Sequence, residues 1–111
     1  MKINQKQKDG IHILELEGEL DFHTSPNLRD RLHQFADKKI GKVLVNLKKI
    51  NYIDSSGLAT FVEAFQKIKR YDGKLVLAGL APAVRSVFEI AKLDSVFSLA
   101  ASEDEAISLL N

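Results

Sequence analysis

Changes in the period of the hydrophobic positions divide the chain into a series of short elements. Residues 2–7 are largely polar and read as a strand at a sheet edge, with lysines at 2, 6 and 8 suited to an unpaired edge. Asp9-Gly10 fits a hairpin turn into Ile11-His12-Ile13-Leu14-Glu15-Leu16, where period-two alternation sets Leu14 and Leu16 on one face. Thr24-Ser25-Pro26 reads as a helix start, a hydroxyl capping free amides and proline sitting in the first turn, and Leu28, Leu32, Phe35 and Ala36 form the apolar stripe. Lys38-Lys39 suits the negative end of that helix, and Gly41 is placed to end it. Lys42-Val43-Leu44-Val45-Asn46-Leu47 has the β-branched, apolar character of a central strand.

A second helix opens at Asp54-Ser55-Ser56-Gly57, and Leu58, Phe61, Val62, Phe65 and Ile68 recur in steps of three and four. Lys67, Lys69 and Arg70 complement its carboxyl end, Asp72-Gly73 turns the chain, and Lys74-Leu75-Val76-Leu77-Ala78-Gly79 is a further strand. Pro82 begins a third helix whose buried face is Val84, Val87, Phe88 and Ala91. Phe97-Ser98-Leu99 reads as a brief last strand, and Ser102-Glu103-Asp104-Glu105 as a capping box opening a last helix. The order β-β-α-β-α-β-α-β-α predicts a single α/β domain over residues 1–111. Its mixed, mostly parallel sheet starts with an antiparallel hairpin, and about four helices pack on it.

Composition narrows the function. With 16 Lys plus Arg against 15 Asp plus Glu, the net charge is +1, so no net field favours a nucleic-acid backbone. The chain has no Cys, which removes disulfides, thiolate metal sites and thiol nucleophiles and fits a reducing compartment. No apolar run approaches the ~20 residues that cross a bilayer, and the first residues lack a signal peptide's apolar core. A cytoplasmic protein without membrane insertion is expected.

Candidate chemistry concentrates at Asp54-Ser55-Ser56-Gly57-Leu58. With Asp54 as N-cap, Ile53 and Leu58 take the two positions of a hydrophobic staple, leaving Ser55 in the first turn near solvent. Free amides and the positive dipole end there suit a phosphate, and Gly57, lacking a side chain, would let another molecule approach. The same residues also suit a plain helix cap, and composition and spacing leave both uses open.

Asp54-Ser55-Ser56-Gly57-Leu58, with Gly18-Glu19-Leu20-Asp21 and Thr24 upstream and Ala81-Pro82-Ala83-Val84 before the third helix, resembles the STAS domain of bacterial anti-sigma factor antagonists. The resemblance implies that Ser55 is phosphorylated by a partner anti-sigma factor with serine kinase activity. It further implies that the unphosphorylated chain binds that partner and releases a sigma factor, and that a serine phosphatase restores binding. It also implies a partner surface of Asp21, His23, Thr24, Asp54, Ser55, Ser56 and Gly57. One departure from the family pattern is Ala59-Thr60, where many members have a second glycine and then an apolar residue; it bears on how closely a partner packs on the first turn.

Other readings lack support in the sequence. A hydrolase built from Ser55, Asp54 and His12, His23 or His33 has no Gly-x-Ser-x-Gly elbow. No histidine pair has metal-ligand spacing, and the Glu103-Asp104-Glu105 cluster is explained by the capping box, so neither a metal nor another cofactor is expected. The chain also lacks a Gly-rich phosphate loop, so it is expected to be a kinase substrate and not an enzyme. The alternative is a non-signalling STAS subunit binding the ATPase of a lipid-transport ABC complex; a transporter-attached STAS domain is disfavoured by the lack of membrane segments.

Overall fold

The computed structural model describes residues 1–111. Along the chain lie β1 (Lys2–Lys8), β2 (Ile11–Leu20), α1 (Ser25–Asp37), β3 (Lys42–Ile53), α2 (Ser55–Lys69), β4 (Lys74–Ala78), α3 (Pro82–Ile90), β5 (Ser98–Ala100) and α4 (Glu103–Leu110). One five-stranded sheet has the order β1-β2-β3-β4-β5. β1 runs antiparallel to β2, and every later pair is parallel. The element order and sheet type match the sequence reading, with polar β1 at the edge. Asp9 and Gly10 have φ of 54° and 78°, the paired left-handed geometry of a tight hairpin.

Strand alternation divides the interior. Leu14 and Leu16 of β2, with Val43, Val45 and Leu47 of β3, face α1, α2 and α3 in the larger core. Ile11, Ile13, Leu44, Val76 and Ala78 point the other way, against Ala106 and Leu110 of α4. Because β2, β3 and β4 are covered on both faces, they carry nearly continuous apolar runs.

Several local expectations are corrected. β3 is much longer than the apolar run 42–47, continuing through Lys48 and Lys49 to Ile53. Thr24 is the N-cap residue of α1, but its hydroxyl does not cap the helix; it donates instead to the Glu19 carbonyl at 2.8 Å. The first turn is anchored by Ser25, whose amide and hydroxyl both donate to the Asp21 carbonyl. Gly41 does not end α1: Lys39 takes the left-handed position at φ 53°, with the Lys39 and Ile40 amides closing on the Ala36 and Phe35 carbonyls. In α3, Val84 and Phe88 are buried, Val87 is half-buried and Ala91 is exposed, because the helix stops at Ile90 and Ala91 is its C-cap. Half of the expected capping box forms: Ser102 Oγ accepts from the Glu105 amide at 3.2 Å, but the Glu105 carboxylate accepts from the Ala101 amide at 3.4 Å and not from that of Ser102.

Candidate partner-binding and phosphorylation site

The site lies where the β3–α2 and β2–α1 junctions meet. The sheet brings them together: β2 and β3 pair in parallel up to Leu20 opposite Ile53, so the residues that follow each strand emerge side by side. The Asp54 amide donates to the Leu20 carbonyl at 3.2 Å, extending this pairing by one bond.

Asp54 is the hub. Its Oδ1 accepts from the amides of Ser56 at 2.9 Å and Gly57 at 3.1 Å, capping α2 as the sequence predicts. Its Oδ2 accepts from the Phe22 amide at 3.1 Å, tying the other junction to the same carboxylate. That loop is ordered by Asp21, whose Oδ1 accepts from the amides of His23 and Thr24 at 2.9 and 3.0 Å, while the Asp21 amide donates to Thr24 Oγ1 at 2.9 Å. The Thr24 amide is the strongest influence on the Asp21 carboxyl and lowers its pKa; partial desolvation opposes this, and the His23 amide and Thr24 hydroxyl add to the lowering.

Of the residues singled out in the sequence, Ser55 is exposed as the first residue of α2. Its hydroxyl takes part in none of the hydrogen bonds that build the turn. Ser56 is half-buried, and its carbonyl accepts from Thr60 Oγ1 at 3.0 Å. His23 is exposed, and Asp21, Thr24 and Asp54 are half-buried.

Two points of local reasoning change. Gly57 is buried, and a Cβ there would lie 2.8 Å from Ile53 Cγ1 and 2.9 Å from Leu20 Cγ. The close approach that glycine permits is therefore by the protein's own core. The amides of Ser56 and Gly57 are also not free to receive a phosphate, because Asp54 occupies them. Ala59 is exposed on the first turn while Thr60 is buried and bonded within the helix.

No histidine hydrogen-bonds Ser55 or Asp54. His33 is engaged with Glu63 at 2.8 Å and Lys67 at 3.2 Å, and His12 packs edge-on to Phe35. No group of three His, Cys, Asp or Glu side chains is arranged to hold a metal ion, and no helix is long and apolar enough to cross a membrane. The feature that sequence reasoning missed is Phe22, 72% exposed beside this hub. Its signal was a large apolar residue just past Leu20, where β2 ends, set among the polar residues Asp21, His23 and Thr24 and outside the α1 stripe.

A mixed five-stranded sheet with three helices on one face and one on the other, carrying its polar hub at paired strand-to-helix junctions, defines a small α/β module of one recurring type. The chain belongs to the STAS domain family, whose family model matches residues 2–106. It is 31% identical over 106 residues to the anti-sigma-B factor antagonist of Listeria monocytogenes, covering 95% of this chain and 93% of that protein. The fold also matches an anti-sigma factor antagonist of Mycobacterium paratuberculosis, with TM-score 0.90 at 21% identity over 98% of this chain and 92% of the other. The Bacillus cell fate determinant SpoIIAA in its phosphorylated form matches with TM-score 0.78 at 21% identity, covering 99% of this chain and all of that one (100%).

Proposed function

We propose that this chain is an anti-sigma factor antagonist that binds an anti-sigma factor with serine kinase activity and is switched off by phosphorylation of Ser55. The observation that carries the reading is the state of the Ser55 hydroxyl: exposed, unbonded and held at a fixed position by the Asp54 cap of α2. Relatives named as antagonists support the binding role, and SpoIIAA is a structural neighbour in a phosphorylated form.

In the proposed step Ser55 Oγ attacks the γ-phosphorus of ATP held by the partner. The new O–P bond replaces the bond to ADP, and the serine proton leaves to a base on the kinase. The product gains about −1.5 to −2 charges at neutral pH. Asp54 occupies the amides of Ser56 and Gly57, so the phosphate gains no bond from those two and lies beside a carboxylate. The partner must hold nucleotide phosphates against Ser55 to react with it, so phosphoserine meets like charge there and the complex separates. A serine phosphatase reverses the step by hydrolysis.

The test is intact-mass measurement after incubation of the full chain with ATP and the candidate kinase from the native cell, followed by pull-down. Wild type is expected to gain one phosphate and lose the partner. Ser55→Ala should gain none and keep binding, and Ser56→Ala should still take up its single phosphate on Ser55. Labelling of Ser55→Ala at the wild-type rate would remove Ser55 from the role. A chain that binds a transporter ATPase and is never labelled would favour the non-signalling reading.

A further inference from the structure

Phe22 is 72% exposed and packs into neither core cluster, so the fold gains nothing from its apolar ring. The loop that carries it is nevertheless rigidly specified. The Phe22 amide is held by Asp54 Oδ2, and the next two amides by Asp21 Oδ1. The ring meets the His23 ring edge-on at 5.6 Å. Neighbouring Asp21 forms no ion pair with any basic side chain of the chain. An exposed aromatic on a backbone already held by hydrogen bonds leaves apolar area in water and needs no loop ordering on binding, which are the properties of an interface anchor.

We propose that Phe22 is the apolar anchor with which this chain grips its anti-sigma factor, entering a pocket on that protein bordered by a basic side chain that pairs with Asp21. The proposal rests on the function proposed above and adds which side chain carries the affinity. The Phe22 amide and the Ser55 turn share the Asp54 carboxylate, so the anchor and the phosphate acceptor belong to one surface.

The experiment titrates the full chain against the purified kinase that labels Ser55, loaded with ADP. Phe22→Ala should weaken binding by about tenfold or more, whereas Phe22→Leu and Phe22→Tyr retain most of it. Ile90→Ala, which removes a still more exposed apolar side chain from α3, should bind as wild type. In the phosphorylation assay Phe22→Ala should raise KM for the chain with kcat little changed, as loss of a binding contact requires. Rising ionic strength should weaken wild-type binding, and less so for Asp21→Asn, which keeps the oxygen acceptor. Amide spectra check the fold, and Phe22→Asn, a residue at home in turns, repeats the measurement should alanine loosen the loop. Wild-type affinity in both the alanine and asparagine variants, with Ser55 still labelled, overturns the anchor and leaves the proposed function standing. Failure of any native kinase to label or bind the wild-type chain overturns the function and the anchor with it.

Discussion

Gly57 shows how one residue's use is set by its surroundings. Its position in the first turn of α2 suggests an opening for a visitor, yet the space a side chain would fill belongs to Ile53 and Leu20. The two closest atoms are γ carbons near the backbone of buried side chains, so an added methyl must displace Ile53 of β3 and Leu20 of β2 or push α2 away from them. Gly57→Ala is therefore expected to destabilise the fold by up to about 2 kcal/mol: overpacking costs about 1–3 kcal/mol, and the gain in helix propensity returns about 1 kcal/mol. Urea unfolding measures this, and a higher midpoint for the variant would show that the core there yields easily. Ser55 represents the opposite case. Its exposure was legible because the Asp54 cap and the apolar stripe fix the phase of α2, whereas the occupancy of the amides by Asp54 Oδ1 was not, since it depends on a side-chain rotamer.

At the scale of elements, what the sequence revealed depended on whether a strand keeps its period. β2 was readable in its first half because Ile11, Ile13, Leu14 and Leu16 supply both faces. The second half of β3 was not. Its buried positions Leu47, Ile50 and Ile53 recur every third residue, because register shifts opposite Glu15/Glu17 and Gly18/Glu19 insert extra residues into β3. A period-two template fails across such bulges. The consequence is functional, since it is the lengthened β3 that delivers Asp54 level with the end of β2. The loop it meets depends on Asp21, whose carboxyl is held below its ordinary 3.8, first by the Thr24 amide. A folded-state pKa below the unfolded one gives stability that is complete above the unfolded value and lost as pH falls through the folded value. Asp21→Asn, which keeps an oxygen acceptor, is thus expected to be less stable than wild type at neutral pH and to converge with it as pH falls through the lowered folded-state value of the carboxyl. Urea melts at a series of pH values measure this. A stability gap that stays constant down to the acid limit would show that the charge on Asp21 does not help order the loop.

For the whole molecule, the decisive feature is the inequality of the two faces of the sheet. The core under α1, α2 and α3 gathers 19 buried residues, and that under α4 only 8. α4 is held by Ala106 and Leu110, with Glu103 reaching Lys6 at 3.1 Å and Asn46 at 3.2 Å. Those polar contacts are partly solvent-exposed and add little. Asp54, Ser55 and the Phe22 loop all stand on junctions packed into the larger core, so α4 can open without disturbing them. Native-state hydrogen exchange is expected to show the amides of α4 exchanging by a local opening well below the global unfolding free energy, while those of β3 and α2 require global unfolding. Leu110→Ala should then remove protection from α4 selectively, the loss approaching the roughly 2–5 kcal/mol typical of a buried leucine, with the rate of Ser55 phosphorylation unchanged. Loss of protection spread evenly over α2 and α4 would mean that the sheet transmits the damage, and that the partner-binding face is not energetically separate from the terminal helix.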